Sequence, residues 1–127
     1  MAIVNAVDDN ILKCIIAENE NVIIGGVGKI IVSEEVKLPV EVIKIIGKTA
    51  IVQCFEDTTG IKKGMEAVFE NNELCAKLGP GLIGQIYDGL QNPLDVVAES
   101  FGNMLPKGKE FEKLDINKSW EFTPILN

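Results

Sequence analysis

The sequence predicts a mainly β protein: a small closed N-terminal β-barrel followed by a linker with short helices. Three observations carry this. Residues 2–78 break into short apolar runs rich in Ile and Val, the residue types that suit a pleated, half-buried surface. Asp, Asn and Gly corners separate those runs. At Gly79-Pro80-Gly81 the pattern changes to apolar residues at helical spacing. Many short strands with tight corners favour closure, because a barrel removes the sheet edges that such strands would otherwise expose.

The elements follow in order. Ala2–Val7 and Ile11–Ile16 flank Asp8-Asp9-Asn10, turn chemistry that predicts an opening hairpin. Glu18-Asn19-Glu20-Asn21 interrupts the apolar pattern. Val22–Ile24 leads into Gly25-Gly26-Val27-Gly28, read as a flexible turn or bulge, and Lys29–Ser33 as the next strand. Lys37–Ile46 alternates in part, with Pro39 suited to a strand start or an edge. Gly47-Lys48 turns the chain into Thr49–Phe55. Glu56-Asp57-Thr58-Thr59-Gly60 is a loop whose side chains bond their own backbone, and Gly64 closes another corner. Met65–Phe69 and Leu74–Leu78 are predicted as a last hairpin around Asn71-Asn72.

Beyond residue 78, Leu82, Ile83, Ile86 and Leu90 have helical spacing, with Gly89 as the stop. A second helix is predicted with Asn92 as N-cap, Pro93 at its first position and Asp95 in its first turn; Gly102 ends it. The tail after Asn103 is polar, with isolated Leu105, Phe111, Trp120 and Phe122. The division expected is therefore barrel over 1–78, linker over 79–102 and tail over 103–127.

Composition excludes several functions. The chain has 127 residues, a net charge of −7, no His, and twelve basic residues, all Lys. An acidic chain without Arg is poorly suited to nucleic acid and cannot supply an arginine finger. Without His it lacks the commonest general base and metal ligand. Cys14, Cys54 and Cys75 are far apart and form no CxxC pair, so zinc and redox motifs are not expected. The first residues do not read as a signal peptide, and no apolar run approaches the roughly 20 residues of a membrane span.

Two segments imitate nucleotide loops. Gly25–Ile30 contains a Gly-Lys pair, but a P-loop would need Gly at 23 and Ser or Thr at 30, and both are Ile. Gly79-Pro80-Gly81-Leu82-Ile83-Gly84 matches GxGxxG, yet a helix rather than a second buried strand is expected after it, and Pro80 removes a backbone donor. The pairs Asp8-Asp9, Glu34-Glu35 and Glu56-Asp57 read as solvated turn residues, since neighbours on a strand face opposite ways. Trp120 is expected to pack on a neighbouring surface. No catalytic, nucleotide-binding or metal-ligating residue is assigned.

Residues 77–97, KLGPGLIGQIYDGLQNPLDVV, resemble a block of the A subunit (alpha chain) of V-type and archaeal-type rotary ATP synthases: LGPGL, an aromatic-Asp-Gly, then Gln-x-Pro-Leu. Glu41–Gly47 and Gln53–Ile61 are similar to the barrel of that family, and Phe101–Gly108 and Trp120–Pro124 to the opening of its bulge insertion. The resemblance covers residues 36–124 and is nearer to the bacterial branch. In the first 30 residues Asp8-Asp9-Asn10 replaces the family's Gly-Asn hairpin.

The resemblance implies a structural role. Gly79, Pro80, Gly81, Asp88, Gly89, Gln91, Pro93 and Leu94 would form the motif linking barrel to nucleotide-binding domain, with Thr59, Gly60 and Gly64 in a barrel loop. The chain would be the N-terminal part of the ring that holds the complex together. B subunits would be its ring neighbours, and peripheral stalk elements would meet the insertion. ATP, ADP and magnesium would bind the full-length parent beyond residue 127, and no cofactor would bind this chain. The location implied is cytoplasmic, peripheral to the membrane through the complex. Net negative charge predicts a monomer or weak dimer in isolation. A free-standing small-barrel interaction module is the alternative.

Overall fold

A computed structural model of the protein describes residues 1–125. These residues form two compact units, one of 1–75 with 106–109, the other of 76–105 with the chain from 110 onward. The final two residues of the predicted 103–127 tail lie outside the described residues.

The first unit is a closed barrel of six antiparallel strands: β1 (Ala2–Asp8), β2 (Ile11–Ile16), β3 (Gly26–Ile31), β4 (Lys37–Ile46), β5 (Thr49–Cys54) and β6 (Glu66–Glu73). Their order around the barrel is β1-β2-β5-β4-β3-β6. The expected mainly β fold with a closed barrel is thus present. Alternation puts one set of side chains inside, as strand geometry requires. Leu12, Ile30, Leu38, Val4, Val40, Val42 and Val52 are fully buried there, with Cys14 among them.

The opening hairpin forms as predicted, with Asp8 opposite Ile11 and Asp9 at φ 53. Asp tolerates that left-handed conformation better than most residues. The Gly-rich segment is partly strand: Gly26, Val27 and Gly28 belong to β3, with a register shift between the two glycines. Pro39 is third in β4, near its start.

The predicted last hairpin does not form. Asn71 and Asn72 lie inside β6, which is one strand, and Leu74–Leu78 is exposed and irregular. The pairing explains why. β6 has partners on both sides, Ala2 and Ile3 of β1, and β3 from Gly26 to Ile30. Between the pairs Gly26–Glu73 and Gly28–Phe69, Val27 alone on β3 faces Glu70, Asn71 and Asn72 on β6. The asparagines are thus absorbed as a bulge, and tertiary pairing overrides local turn preference.

In the second unit one helix, α1 (Leu94–Phe101), forms among the described residues. The predicted first helix is absent: residues 82–90 are turns and irregular chain, with Tyr87 in a β-bridge. Gly81 and Gly84 have φ of 89 and 87, values that end a helical path before it can propagate. Pro93, not Asn92, is the N-cap of α1, and no side chain caps it. Gly102 ends α1 at φ 65, its N–H bonding the Ala98 carbonyl at 2.8 Å. Phe101 meets Phe111 edge to face, centroids 6.1 Å apart, a favoured aromatic geometry.

Candidate functional site

Two loop systems gather the residues singled out by sequence, one within each unit. In the barrel unit, the Asp57 carboxylate accepts hydrogen bonds from the N–H and hydroxyl of Thr59, both at 2.8 Å. Those bonds hold the Asp57 carboxyl below its ordinary pKa. Gly60 and Gly64 take φ of 100 and 93. Gly64 also joins the barrel seam: its N–H bonds the Val4 carbonyl at 2.7 Å, and the Val4 N–H bonds the Met65 carbonyl at 2.8 Å.

A strap, residues 106–109, lies against that loop. Gly108 N–H donates to Glu56 Oε2 at 2.7 Å, and Lys107 Nζ donates to the Thr59 carbonyl at 2.6 Å. Lys109 Nζ stands 3.5 Å from Glu35. Gly108 is buried at φ 63, and a Cβ there would lie 2.8 Å from Val36 and 3.0 Å from the Lys37 nitrogen. Glu56 is therefore half-buried and structurally committed, not the free turn residue that its pairing with Asp57 suggested. Local sequence carries no sign of this contact, because its partner is 52 residues away.

In the second unit, Tyr87 and Pro93 form an antiparallel bridge, and the loop between them closes on Asp88. Its carboxylate accepts from the N–H of Leu90 at 2.9 Å, the N–H of Asn92 at 2.7 Å and the Asn92 amide at 2.7 Å. Burial pushes the Asp88 pKa up, but the hydrogen bonds from Asn92 and Leu90 and the Lys113 charge outweigh it and leave the pKa lowered. Asn92 thus spends its side chain on Asp88 rather than on capping α1. Gln91, at φ 61, clasps Lys77 by two bonds of 2.7 Å: its Oε1 accepts from the Lys77 N–H and its Nε2 donates to the Lys77 carbonyl. Lys113 Nζ donates to the Leu90 carbonyl at 2.7 Å and to Asn92 Oδ1 at 2.6 Å.

Gly79 and Gly81 have packing reasons of their own. A Cβ on Gly79 would touch Leu114 at 3.4 Å, and one on Gly81 would lie 2.7 Å from the Trp120 ring. Trp120 covers Gly81 while remaining 46% exposed, and Lys118 Nζ lies 4.4 Å from its ring centroid. Pro80, Tyr87, Asp95, Lys113 and Trp120 line a groove of about 530 Å³. Gly89 has open space where a side chain would stand, and Leu94 begins α1. The structure therefore brings Asp88, Gln91 and Pro93 into one loop and sets Gly81 against Trp120. Sequence reasoning missed Lys77 as the partner of Gln91, and Lys113 and Glu56 as anchors.

The Cys14 and Cys54 thiols are raised by burial, and the Asp57 and Asp88 carboxyls are lowered, chiefly by the hydrogen bonds they accept. Each moves away from neutrality, whereas a general acid or base is tuned toward it. Among the described residues no group of three His, Cys, Asp or Glu could hold a metal. Both nucleotide-loop imitations have other geometry: Gly26 and Gly28 are in a strand, and residues 79–84 open no helix. No helix among the described residues is long and apolar enough to cross a membrane.

The fold occurs in known ATPase chains. The assembled ATPase EscN of the enteropathogenic E. coli type III secretion system superposes with a TM-score of 0.62 at 24% identity, over 73% of this chain and 21% of that one. The same ATPase with its central stalk EscO gives 0.63 at 24% identity. No family model matches the chain.

Curated relatives are nearer in sequence. The A subunit of the A-type ATP synthase of Methanosarcina barkeri is 44% identical over 86 residues, 68% of this chain and 15% of that protein. The V-type ATP synthase alpha chain of Treponema denticola is 49% identical over 88 residues, 69% of this chain and 15% of that one. That of Protochlamydia amoebophila is 46% identical over 89 residues, 70% of this chain and 15% of that one. The chain belongs to the family of A subunits of A-type and V-type ATP synthases, and it corresponds to a portion at their N-terminal end. It spans about 15% of the length of these relatives.

Proposed function

We propose that this chain is the N-terminal structural and assembly segment of an ATP synthase A subunit, helping to hold together the ring of the ATP-synthesising or ATP-hydrolysing, ion-translocating complex. One observation carries the reading: identity of 41–49% to the A subunits of A-type and V-type enzymes across about two thirds of the chain. The closed barrel supports it physically. A ring under torque needs stiff units, and a barrel has no free edge to fray or mispair.

In this reading B subunits of the same complex are the ring neighbours, and peripheral stalk elements meet the segment after Asn103. The motif Gly79, Pro80, Gly81, Asp88, Gly89, Gln91, Pro93 and Leu94 links barrel to nucleotide-binding domain. ATP, ADP and magnesium belong to the longer parent, so this chain turns over no nucleotide. Its place is cytoplasmic, reaching the membrane only through the complex, with no nucleic-acid partner.

The test uses the full-length parent co-produced with its B subunit, intact or lacking residues 1–75. Loss of the assembled hexamer in the truncated form is the expected result. An unchanged yield of hexamer would overturn the reading, as would steady phosphate release from Mg-ATP by this chain alone.

A further inference from the structure

Asp88-Gly89 is the single place in the sequence where Asp or Asn precedes Gly. Asp8, Asp9, Asp57, Asp95 and Asp115 precede larger residues, Thr, Val and Ile in the last three cases. The difference has a chemical consequence. After any Asp, the next amide nitrogen can attack the Asp side-chain carbon Cγ and close a succinimide ring. A side chain on that next residue obstructs the attack, a β-branched one most of all, whereas glycine leaves the path open.

Among the described residues nothing demands glycine at 89. It is exposed, its φ lies outside the left-handed region, and a Cβ there would meet nothing within 4 Å. Asp88 is held far more tightly. Its Oδ1 accepts from the N–H groups of Leu90 and Asn92, and its Oδ2 from the Asn92 side-chain amide. Its main chain is tied as well: the carbonyl accepts from the Gln91 N–H at 3.0 Å, and the N–H donates to the Asn92 carbonyl at 3.1 Å. Ring closure needs the carboxyl to swing from these donors onto the Gly89 nitrogen. It also needs one carboxyl oxygen protonated, so that it can leave. The hydrogen bonds oppose both, because they fix the side chain and favour its charged form.

We infer that Asp88-Gly89 is a latent isoaspartate modification site, kept shut by the grip of Leu90 and Asn92 on the Asp88 carboxylate and released when that loop opens. In the open loop the Gly89 nitrogen bonds to Cγ and gives up its proton, and the carboxyl oxygen leaves as water. Water then adds back at either carbonyl of the ring. Breaking the bond between nitrogen and Cγ restores Asp88. Breaking the bond between nitrogen and the main-chain carbonyl carbon leaves Gly89 attached through Cγ, which is isoaspartate. Mass is unchanged, the main chain gains a methylene, and no oxidant, reductant or second substrate takes part. The product loses both ends of the native arrangement. Cγ becomes an amide carbon with one oxygen instead of two, and the carbonyl that the Gln91 N–H bonds becomes a free carboxylate. The turn that sets Gln91 on Lys77 is then lost.

Prolonged incubation of the whole chain in warm neutral buffer, native or in guanidinium chloride, tests this. Asp-N protease cuts before Asp but not before isoaspartate, so loss of the cut at Asp88 without a change in mass reads the product. In guanidinium that cut should fade while the cut at Asp95 persists. In the native chain it should fade at least about tenfold more slowly, the ratio that an opening cost of about 1.4 kcal/mol gives, because the reaction follows the open population. Asn92→Ala should bring the native rate toward the unfolded one. Gly89→Ala, which the open space around Gly89 accepts, should suppress the reaction in guanidinium. Equal rates in native and unfolded wild type would overturn the latch, and so would an Asn92→Ala rate equal to wild type. An Asp88 cut that survives guanidinium as well as the Asp95 cut does would overturn the site. Circular dichroism checks that Asn92→Ala is folded, and the wild-type comparison decides the matter without it.

Discussion

Gly28 on β3 faces the main chain of Val68 on β6 so closely that a Cβ at Gly28 would stand 2.6 Å from the Val68 carbonyl oxygen and 2.6 Å from the Phe69 ring. The glycine that gives this segment its likeness to a phosphate loop is there because two strands approach each other. Two residues earlier, Gly26 has a local reason instead: its Cβ would meet Ile23, three positions back, at 2.9 Å. Gly28→Ala should therefore destabilise the barrel by about 1–3 kcal/mol through overpacking. Urea unfolding followed by far-UV circular dichroism checks it, and an unchanged midpoint would show that the strands can part without cost.

Gly81→Val should unseat Trp120. The site needs φ 89, which β-branched residues resist, and the new side chain would collide with the indole ring. A local loss of about 1–3 kcal/mol is expected. Trp120 is the single tryptophan, so its fluorescence reports the event directly: emission should shift to the red. Emission identical to wild type would mean the bend does not need this glycine.

Asp88 governs an acid-sensitive loop. Its pKa is lowered in the folded chain from 3.8, so its contribution is fully present above about 3.8 and is lost as pH falls through the lower, folded value. Asp88→Asn should cost about 1–3 kcal/mol locally, because it replaces an acceptor of three hydrogen bonds. The Leu90 and Asn92 amides should exchange faster with deuterium in the variant at pH 7. Exchange rates equal to wild type would remove Asp88 from its place as the organiser of the loop.

The three thiols should separate by burial. Burial raises Cys14 to about 11 and raises Cys54 as well, whereas Cys75 is exposed. Only thiolate reacts quickly with a disulfide reagent. At pH 8 the folded chain should show one fast thiol, lost in Cys75→Ser, and all three should react in denaturant. A fast reaction at Cys14 in the native protein would contradict the closed core.

Gly108→Ala should loosen the strap. The added methyl meets Val36 and the Lys37 backbone at a φ of 63. A local cost of about 1.4 kcal/mol would speed tryptic cleavage after Lys107 and Lys109 about tenfold, since cleavage follows the open population. Equal cleavage rates would show that the strap is not held at Gly108.

Sequence alone was enough for much of this protein. The alternation of Leu38, Val40 and Val42, the turn at Asp9-Asn10 and the stop at Gly102 are local signals: strand pleat, turn backbone and helix end are each set by residues within a few positions. The block from Leu78 to Leu94 was also legible as a motif, though not as a shape. Leu82–Leu90 had helical spacing, yet the positive φ of Gly81 and Gly84 and the clasp of Gln91 on Lys77 made turns of it. Asn71-Asn72 had turn chemistry, yet pairing with β3 on either side of them takes them into β6 as a bulge rather than a hairpin turn. Glu56, Lys113 and Trp120 drew their roles from partners 52, 21 and 39 residues away. Only tertiary structure could decide those points. A hydrogen bond or a close approach between distant residues depends on where the chain returns in space, and short-range spacing carries no record of that.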